Sequence, residues 1–175
     1  MDLATSILHG LAYVLPAYLA NSSPVFVGGG PPLDKGKNFF DGRRIFGDHK
    51  TIRGFLGGIL IGTISGLLLP YIFSVLNIAY LSYIDGLLLA LLLSLGAHIG
   101  DLLGSFIKRR LNLKPGAPAP FLDQAGFIIF AFIIAYPLYP LITMIEVVII
   151  ILITLIVHPV SNIVAYLLGL KDKPW

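Results

Sequence analysis

The sequence has no cysteine and little charge. Without a cysteine among its 175 residues, the chain has no disulfide framework, no thiolate metal site and no cysteine nucleophile. Charged residues make up 12% of the chain and hydrophobic residues 57%, whereas a soluble globular domain carries about 25% charge. This balance excludes a soluble enzyme, a disordered tail and a coiled coil. It predicts an all-α integral membrane protein with a single transmembrane domain over residues 1–175.

Five transmembrane helices are predicted from the apolar stretches, because one span needs roughly 20 mostly apolar residues. The last stretch is too long for one span, and Pro137 and Pro140 divide it in two. Tyr136 and Tyr139 beside these prolines suit a membrane interface. The predicted spans cover residues 3–27, 54–76, 84–107, 124–143 and 145–169, with loops at 28–53 and 108–123.

Basic residues are missing from the N-terminus and from the loops on its side of the membrane. All 12 lysines and arginines lie in the loops 28–53 and 108–123 or in the C-terminal tail. The positive-inside rule therefore places the N-terminus outside and the C-terminus in the cytoplasm. We expect a multi-pass protein of the cell membrane whose two functional loops, and hence its active site, face the cytoplasm.

The third span carries a polar edge at its basic end. At 100° per residue, five polar side chains fall within an arc of about 100°: His98, Asp101, Ser105, Lys108 and Arg109. A carboxylate such as Asp101 costs at least ~2–3 kcal/mol inside a membrane unless it is paired, hydrated or bound to metal. The alternatives are a structural salt bridge, to Arg109 or to a loop arginine, and simple membrane anchoring by the cations. His98 is expected to be a packed hydrogen-bonding residue, and Arg110 points away from this edge.

A second carboxylate, Asp123, precedes the fourth apolar run. It is interpreted as a helix N-cap, as a partner of Asp101 facing the same site, or as both. Two carboxylates near the membrane surface are suited to Mg²⁺, which prefers oxygen ligands and leaves positions for phosphates. Both residues are therefore candidate metal ligands.

The first loop combines cations with glycines, which favours an anion site. Arginine binds phosphate oxygens bidentately, and lysine binds them as a point charge. A solvated loop that touches anionic lipid head groups is the alternative. The chain lacks a Walker A motif, because two residues separate Gly47 from Lys50. In the fifth span, His158 and Asn162 share a face around Pro159 and are interpreted as a hydrogen-bonded kink.

These groups favour phosphoryl or nucleotidyl transfer onto a lipid. The runner-up is a small proton-coupled membrane transporter or channel subunit that uses Asp101 and His98, since buried ionisable residues relay protons in transporters. A third hypothesis is a structural protein whose basic loops only hold lipid head groups. No nucleic-acid partner is expected, and stripes of glycine leave oligomer formation open.

Two motifs resemble those of known lipid-activating enzymes. Ser105-Phe106-Ile107-Lys108-Arg109 matches the S-x-x-K-R that opens the signature of CTP:phosphatidate cytidylyltransferases, although no P-G-H-G-G follows and Asp123 precedes Gln124. The chain more closely resembles the small archaeal CDP-archaeol synthases. That likeness rests on Asp41-Gly42-Arg43-Arg44, on Lys50-Thr51-Ile52-Arg53-Gly54, and on the block from Gly100-Asp101 to Asp123-Gln124.

The resemblance implies Mg²⁺-dependent transfer of CMP from CTP to 2,3-bis-O-geranylgeranylglycerol 1-phosphate, an isoprenoid ether-lipid phosphate, giving CDP-archaeol and pyrophosphate. Residues and resemblance together predict a catalytic set: Asp101, Asp123, Lys108, Arg109 and Ser105. Asp101 and Asp123 are the predicted Mg²⁺ ligands. The predicted substrate-binding residues are Asn21, Asp41, Arg43, Arg44, Lys50, Thr51, Arg53, Lys114 and Gln124.

Overall fold

The fold is all-helical, as the composition predicts. The structure is a computed structural model that describes residues 2–114 and 116–174. Its helices are α1 (Leu3–Ser22), α2 (Pro24–Val27), α3 (Ile52–Ser65), α4 (Leu69–Val75), α5 (Tyr83–Arg110), α6 (Leu122–Ala135) and α7 (Met144–Leu167). A 3₁₀ turn over Gly66–Leu68 joins α3 to α4. Within the described residues, β-structure is limited to two isolated bridges in the first long loop.

Four helical segments are long and apolar enough to cross a membrane. They cover Leu3–Val27, Ile52–Val75, Tyr83–Arg110 and Met144–Leu167. Their ends lie within about three residues of the predicted spans. The chain is thus a multi-pass membrane protein by length and composition.

Helix α6 differs from the predicted span over residues 124–143. It has only 14 residues, or about 21 Å at 1.5 Å per residue, against roughly 30 Å of membrane hydrocarbon. After Ala135 the backbone closes into turns, with the N–H groups of Leu138 and Tyr139 both donating to the Ala135 carbonyl. Pro137 and Pro140 have no N–H with which to continue the helical ladder. The polypeptide resumes helical structure only at α7, whose start has a capping box formed by Thr143 and Glu146.

Helix α5 lies at the centre of the bundle and packs against α1, α3 and α6. Its contact with α6 is close because glycines face the α6 backbone. A Cβ at Gly96 would lie 2.5 Å from the Phe130 carbonyl oxygen, and one at Gly100 would lie 2.4 Å from the Gly126 carbonyl oxygen. Gly58 and Gly62 of α3 approach α1 and α5 in the same way. These small-residue stripes therefore serve contacts within the chain.

A buried polar pair joins the N-terminal half of α1 to the first turn of α7. Nδ1 of His9 lies 2.7 Å from Oε1 of Glu146, whose side chain is 1% exposed. Nearby, the Tyr13 hydroxyl donates to the Tyr139 carbonyl oxygen at 2.8 Å. These bonds hold the start of α7 against α1. They lie at the opposite end of α7 from its C-terminal half.

The glycine contacts between α5 and α6 give a direct test of this packing. Gly100→Ala would force a methyl group into the Gly126 carbonyl and should destabilise the protein by about 1–3 kcal/mol, as overpacking does. Gly104→Ala is the matched control on the same helix face, because its Cβ would meet its nearest neighbour, the Leu122 carbonyl oxygen, at an ordinary 3.5 Å. Thermal unfolding in detergent gives the melting temperature of each variant. Equal melting temperatures for the two variants would contradict the close α5–α6 contact.

Candidate active site

Two lysine–carboxylate pairs form the centre of the candidate site. The Lys50 ammonium binds both carboxylate oxygens of Asp101, at 2.7 Å and 2.6 Å. The Lys108 ammonium binds Oδ1 of Asp123 at 2.6 Å. Each carboxylate side chain remains 31% exposed. The partner of Asp101 is therefore a lysine of the first loop. The structural salt bridge exists, but both predicted partners, Arg109 and a loop arginine, were wrong.

Asp123 is held by the segment before α6. Its Oδ2 accepts a hydrogen bond from the Ala119 N–H at 2.9 Å. The N-cap position belongs to Phe121, whose φ is +65° and whose side chain makes no capping bond. The N-cap interpretation of Asp123 was therefore wrong: the residue lies in the first turn of α6 and faces Lys108.

The first long loop is organised around a buried carboxylate that the sequence analysis did not select. Asp34 binds the Arg44 guanidinium at 2.6 Å and accepts N–H bonds from Gly36, Phe46 and Gly47. Burial alone would raise the pKa of Asp34, but the Arg44 guanidinium and these N–H groups outweigh it and hold the pKa well below its usual range. An Asp two residues before a glycine, as in Asp34 and Gly36, is a common turn signal. This pattern is the sequence feature that could have identified Asp34.

Arg110 attaches this loop to the end of α5. It pairs with Asp41 at 2.8 Å, donates to the Arg44 carbonyl oxygen at 2.6 Å, and lies 4.5 Å from the centre of the Phe106 ring. In return, the Arg43 guanidinium donates to the Arg110 carbonyl oxygen. Arg43, Arg44 and Asp41, which were predicted to bind substrate, thus have structural contacts already, and a binding role for them remains a prediction.

A small polar cavity of about 90 Å³ opens beside the two lysine–carboxylate pairs. The first loop, α5 and the second loop line it with Phe46, Gly47, His49, Lys50, Ser105, Lys108, Arg109 and Gly116. Arg109 is 6% exposed and donates to the Lys114 carbonyl oxygen at 3.1 Å. Its Nε and Nη1 groups are buried and have no hydrogen-bond acceptor among the described residues. Buried cationic donors of this kind are suited to phosphate oxygens.

The remaining predicted residues either have a structural role or make no contact with the two carboxylates. Thr51 caps α3, its Oγ1 accepting from the Gly54 N–H at 3.1 Å. Within the described part of the chain, no hydrogen bond or ion pair joins Asn21, Arg53 or Gln124 to either carboxylate; Arg53 and Lys114 are exposed. His98 is buried against the Phe55 ring at 5.2 Å, which agrees with the predicted packing. Its Nε2 is buried without a hydrogen-bond partner among the described residues, so the predicted hydrogen bond is not found at that nitrogen. Sequence reasoning missed four residues that line the cavity: Phe46, Gly47, His49 and Gly116.

The donor set is compatible with a magnesium ion shared with substrate. The described residues contain no group of three or more His, Cys, Asp or Glu side chains arranged for a metal. Mg²⁺, however, is commonly bound by one or two carboxylates together with substrate phosphates and water. Two partly exposed carboxylates beside a cationic cavity fit that mode of binding.

Comparison with known proteins gives a consistent result over nearly the whole chain. The sequence model of the CarS-like family, CDP-archaeol synthase, matches residues 3–175. The CDP-archaeol synthase of Pyrococcus furiosus is 50% identical over 169 residues, covering 97% of this chain and 98% of that protein. That of Methanocaldococcus jannaschii is 48% identical, covering 94% and 95%. A solved structure, described as an intramembrane enzyme for archaeal membrane lipids biosynthesis, has a TM-score of 0.78 at 37% identity, covering 90% of this chain and 94% of that one.

Fold and site together define a multi-pass helical membrane enzyme with a charged site at one end of its bundle. Its class is nucleotidyltransferase, with CTP as the nucleotide. The chain belongs to the CarS-like family of CDP-archaeol synthases. The resemblance inferred from the two loop motifs is confirmed, and the transporter alternative is set aside.

The role of Asp34 can be tested by limited proteolysis. Asp34→Asn keeps the size of the side chain but removes the charge that holds Arg44, so trypsin should cleave the basic first loop several-fold faster. Because the folded-state pKa of Asp34 is depressed, this stabilisation is complete above the usual carboxyl range and is lost only as the pH falls through the depressed value. The wild-type loop should therefore remain protected at pH 5.

Asp48→Asn is the matched control, because Asp48 also pairs with Arg44 but its side chain is 67% exposed. Exposed ion pairs contribute about 0–1 kcal/mol, so its cleavage rate should stay near that of the wild type. Equal cleavage of both variants would contradict the organising role of Asp34.

Proposed function

We propose that this protein transfers CMP from CTP to 2,3-bis-O-geranylgeranylglycerol 1-phosphate and releases pyrophosphate. The observation that carries this proposal is the pair of lysine-bound carboxylates beside a cavity with a buried arginine. A triphosphate and a lipid phosphate are both anionic, and the site offers Lys50, Lys108 and Arg109 to them. The names of the relatives support the same product.

The proposed topology has five crossings, with α6 and the turns after it forming the fourth. The N-terminus lies outside and the site faces the cytoplasm, in the cell membrane. The distribution of lysine and arginine supports this orientation, because all of them lie in or next to the first long loop, around the loop between α5 and α6, and in the C-terminal tail.

Mg²⁺ is the proposed cofactor, with Asp101 and Asp123 as its protein ligands. When bound, such an ion neutralises charge on phosphate oxygens and orients them for displacement. Lys50 and Lys108 pair with these two carboxylates. Once phosphates enter, the same ammonium groups are within reach to bind them as point charges.

The chemistry asks little of the protein beyond positioning and charge. A phosphate monoester has a second pKa near 6, so the lipid phosphate is already an anionic nucleophile at neutral pH and needs no general base. Its oxygen bonds to the α-phosphorus of CTP while the bond from that phosphorus to the pyrophosphate oxygen breaks. Lys108 and Arg109 stabilise the charge that develops on pyrophosphate. Ser105 lines the same cavity, and we propose that its hydroxyl donates a hydrogen bond to the pyrophosphate.

Incorporation of label into lipid tests this function. Purified protein in detergent is incubated with Mg²⁺, α-labelled CTP and the geranylgeranyl ether-lipid phosphate, and the organic phase is counted. We expect label from CTP and little from α-labelled ATP, and a diacyl phosphate in parallel defines the lipid preference. Folded protein that incorporates no label from either nucleotide would overturn the proposal.

Asp101→Asn tests the metal ligand. Removing the charge should abolish turnover, because the carboxylate holds the metal and positions Lys50. Asp48→Asn is the control: it makes the same chemical change on the exposed side of the first loop and should keep near-normal activity. Mg²⁺-dependent turnover of Asp101→Asn at a substantial fraction of the wild-type rate would contradict the metal assignment.

A further inference from the structure

The tip of the first loop exposes a phenylalanine. Residues 37–45 form a short hairpin closed by backbone hydrogen bonds, among them one from the Phe39 N–H to the Arg43 carbonyl oxygen at 2.7 Å. The Gly42 N–H closes the turn on the Phe39 carbonyl oxygen at 3.0 Å, and the φ of Gly42 is +76°. Phe40 lies in this turn and is 99% exposed. We call residues 37–45 the first-loop hairpin.

The first-loop hairpin is attached to the lipid-facing side of α5. Three exposed apolar side chains mark this side in the C-terminal half of the helix: Ile99, Leu103 and Ile107. At 100° per residue, Phe106 and Arg110 fall with them within an arc of about 100°. The Phe39 ring packs edge to face on the Phe106 ring, with 5.1 Å between their centres, and Arg110 pairs with Asp41 at 2.8 Å. The hairpin therefore lies over the lipid beside α5 and not over the middle of the bundle.

Helix α5 also fixes the depth of the hairpin. From Tyr83 at its start to Phe106 it rises about 35 Å at 1.5 Å per residue, or about 32 Å along the membrane normal at a typical tilt of about 20°. The hydrocarbon is roughly 30 Å thick, and the head groups add about 5–8 Å on each side. With Tyr83 at the opposite interface, which tyrosine prefers, Phe106 lies at the boundary between hydrocarbon and head groups. The Phe40 ring lies 4.9 Å from the Phe39 ring, so it is only one further ring contact from this boundary.

Positive charge surrounds the exposed ring. Lys35 and Lys37 are exposed, and the ion pairs within the described part of the chain leave both without a carboxylate partner. Asp41, the acidic residue of the hairpin, is already paired with Arg110. Lysines close to a membrane surface are attracted to anionic lipid head groups. A single exposed apolar residue is ordinary on a protein surface, but depth and charge here both favour a lipid surface as the partner of Phe40.

We propose that the tip of the first-loop hairpin is an interfacial membrane anchor. The Phe40 ring inserts among the head groups of the bilayer that the helices span, and Lys35 and Lys37 bind anionic head groups around it. The anchor does not depend on the reaction proposed above. Because the same loop continues to Lys50, anchoring its tip restricts the movement of the segment that brings Lys50 to Asp101.

Tryptophan fluorescence tests the position of Phe40. Trp175 is the only tryptophan of the chain, so a tryptophan introduced into a Trp175→Phe background is the sole reporter. In nanodiscs of phosphatidylcholine and phosphatidylglycerol, Phe40→Trp should emit at shorter wavelength than a tryptophan in water. It should also be quenched by lipid brominated near the head group and be protected several-fold from acrylamide.

Asp48→Trp is the matched reporter in the same loop, because the Asp48 side chain is largely exposed. Its tryptophan should be quenched by acrylamide and not by brominated lipid. A Phe40→Trp reporter that is open to acrylamide and insensitive to brominated lipid would overturn the proposal. These measurements require no turnover, so their outcome is separate from that of the CMP-transfer assay.

Lipid charge tests the role of the two lysines. Omitting phosphatidylglycerol, or raising the salt concentration, should weaken the quenching of Phe40→Trp by brominated lipid, because both reduce the attraction of cations to the membrane surface. Lys35→Gln combined with Lys37→Gln should remove this dependence, whereas Lys35→Arg combined with Lys37→Arg should keep it. The same dependence on lipid charge in the glutamine variant would contradict the part assigned to the lysines.

Limited proteolysis tests the restraint on the loop. In nanodiscs, Phe40→Ser should speed cleavage of the first loop by trypsin several-fold, while its melting temperature in detergent stays that of the wild type because Phe40 is exposed. Phe26→Ser is the matched control, since it removes another exposed phenylalanine outside the hairpin and should leave the cleavage rate unchanged. Equal cleavage of Phe40→Ser and the wild type would show that the tip does not restrain the loop.

Discussion

Gly96 and Gly100 allow α5 and α6 to approach until there is no room for a Cβ between their backbones. Asp101 follows Gly100 directly, and Asp123 precedes Gly126 by less than one helical turn. The relative position of the two carboxylates is therefore fixed by backbone contact and not by flexible side chains. A larger residue at either glycine would separate the helices and move the carboxylates with them, so the chemistry at the end of the bundle depends on packing inside it.

Charge compensation is the second constraint on the site. An unpaired carboxylate near the membrane interior is costly, and a lysine on each one offsets part of that cost. The same lysines, with the buried Arg109, give the site cationic donors that match phosphates. In the proposed reaction, substrate binding would exchange partners among groups that are already positioned, which would limit the reorganisation needed during reaction.

Local patterns predicted much of this architecture, and contacts between distant segments account for most of what they missed. Hydropathy placed the ends of the α3–α4 segment, of α5 and of α7 within a few residues, and helical periodicity placed Asp101, Ser105 and Lys108 on one edge. The pairing of Lys50 with Asp101 crosses 51 positions of sequence, and the pairing of Arg110 with Asp41 links two separate loops. No periodic pattern encodes such pairs. The early end of α6 has a cause that is visible in the sequence, because Pro137 and Pro140 follow it. A hydropathy average does not detect this cause, since it contains no information about missing backbone N–H groups.

The anion-binding cavity of the site is built from three segments that are separate in the sequence. The first loop, the end of α5 and the second loop each contribute residues to it, and its cations Lys50, Lys108 and Arg109 come from the first two of these segments. The positions of these cations therefore depend on the contacts that hold the first loop to α5, such as the ion pair between Arg110 and Asp41 at 2.8 Å. A substitution that loosened the first loop would move Lys50 away from Asp101 without changing the helices. The site thus depends on the order of its loops as well as on the packing of α5 against α6.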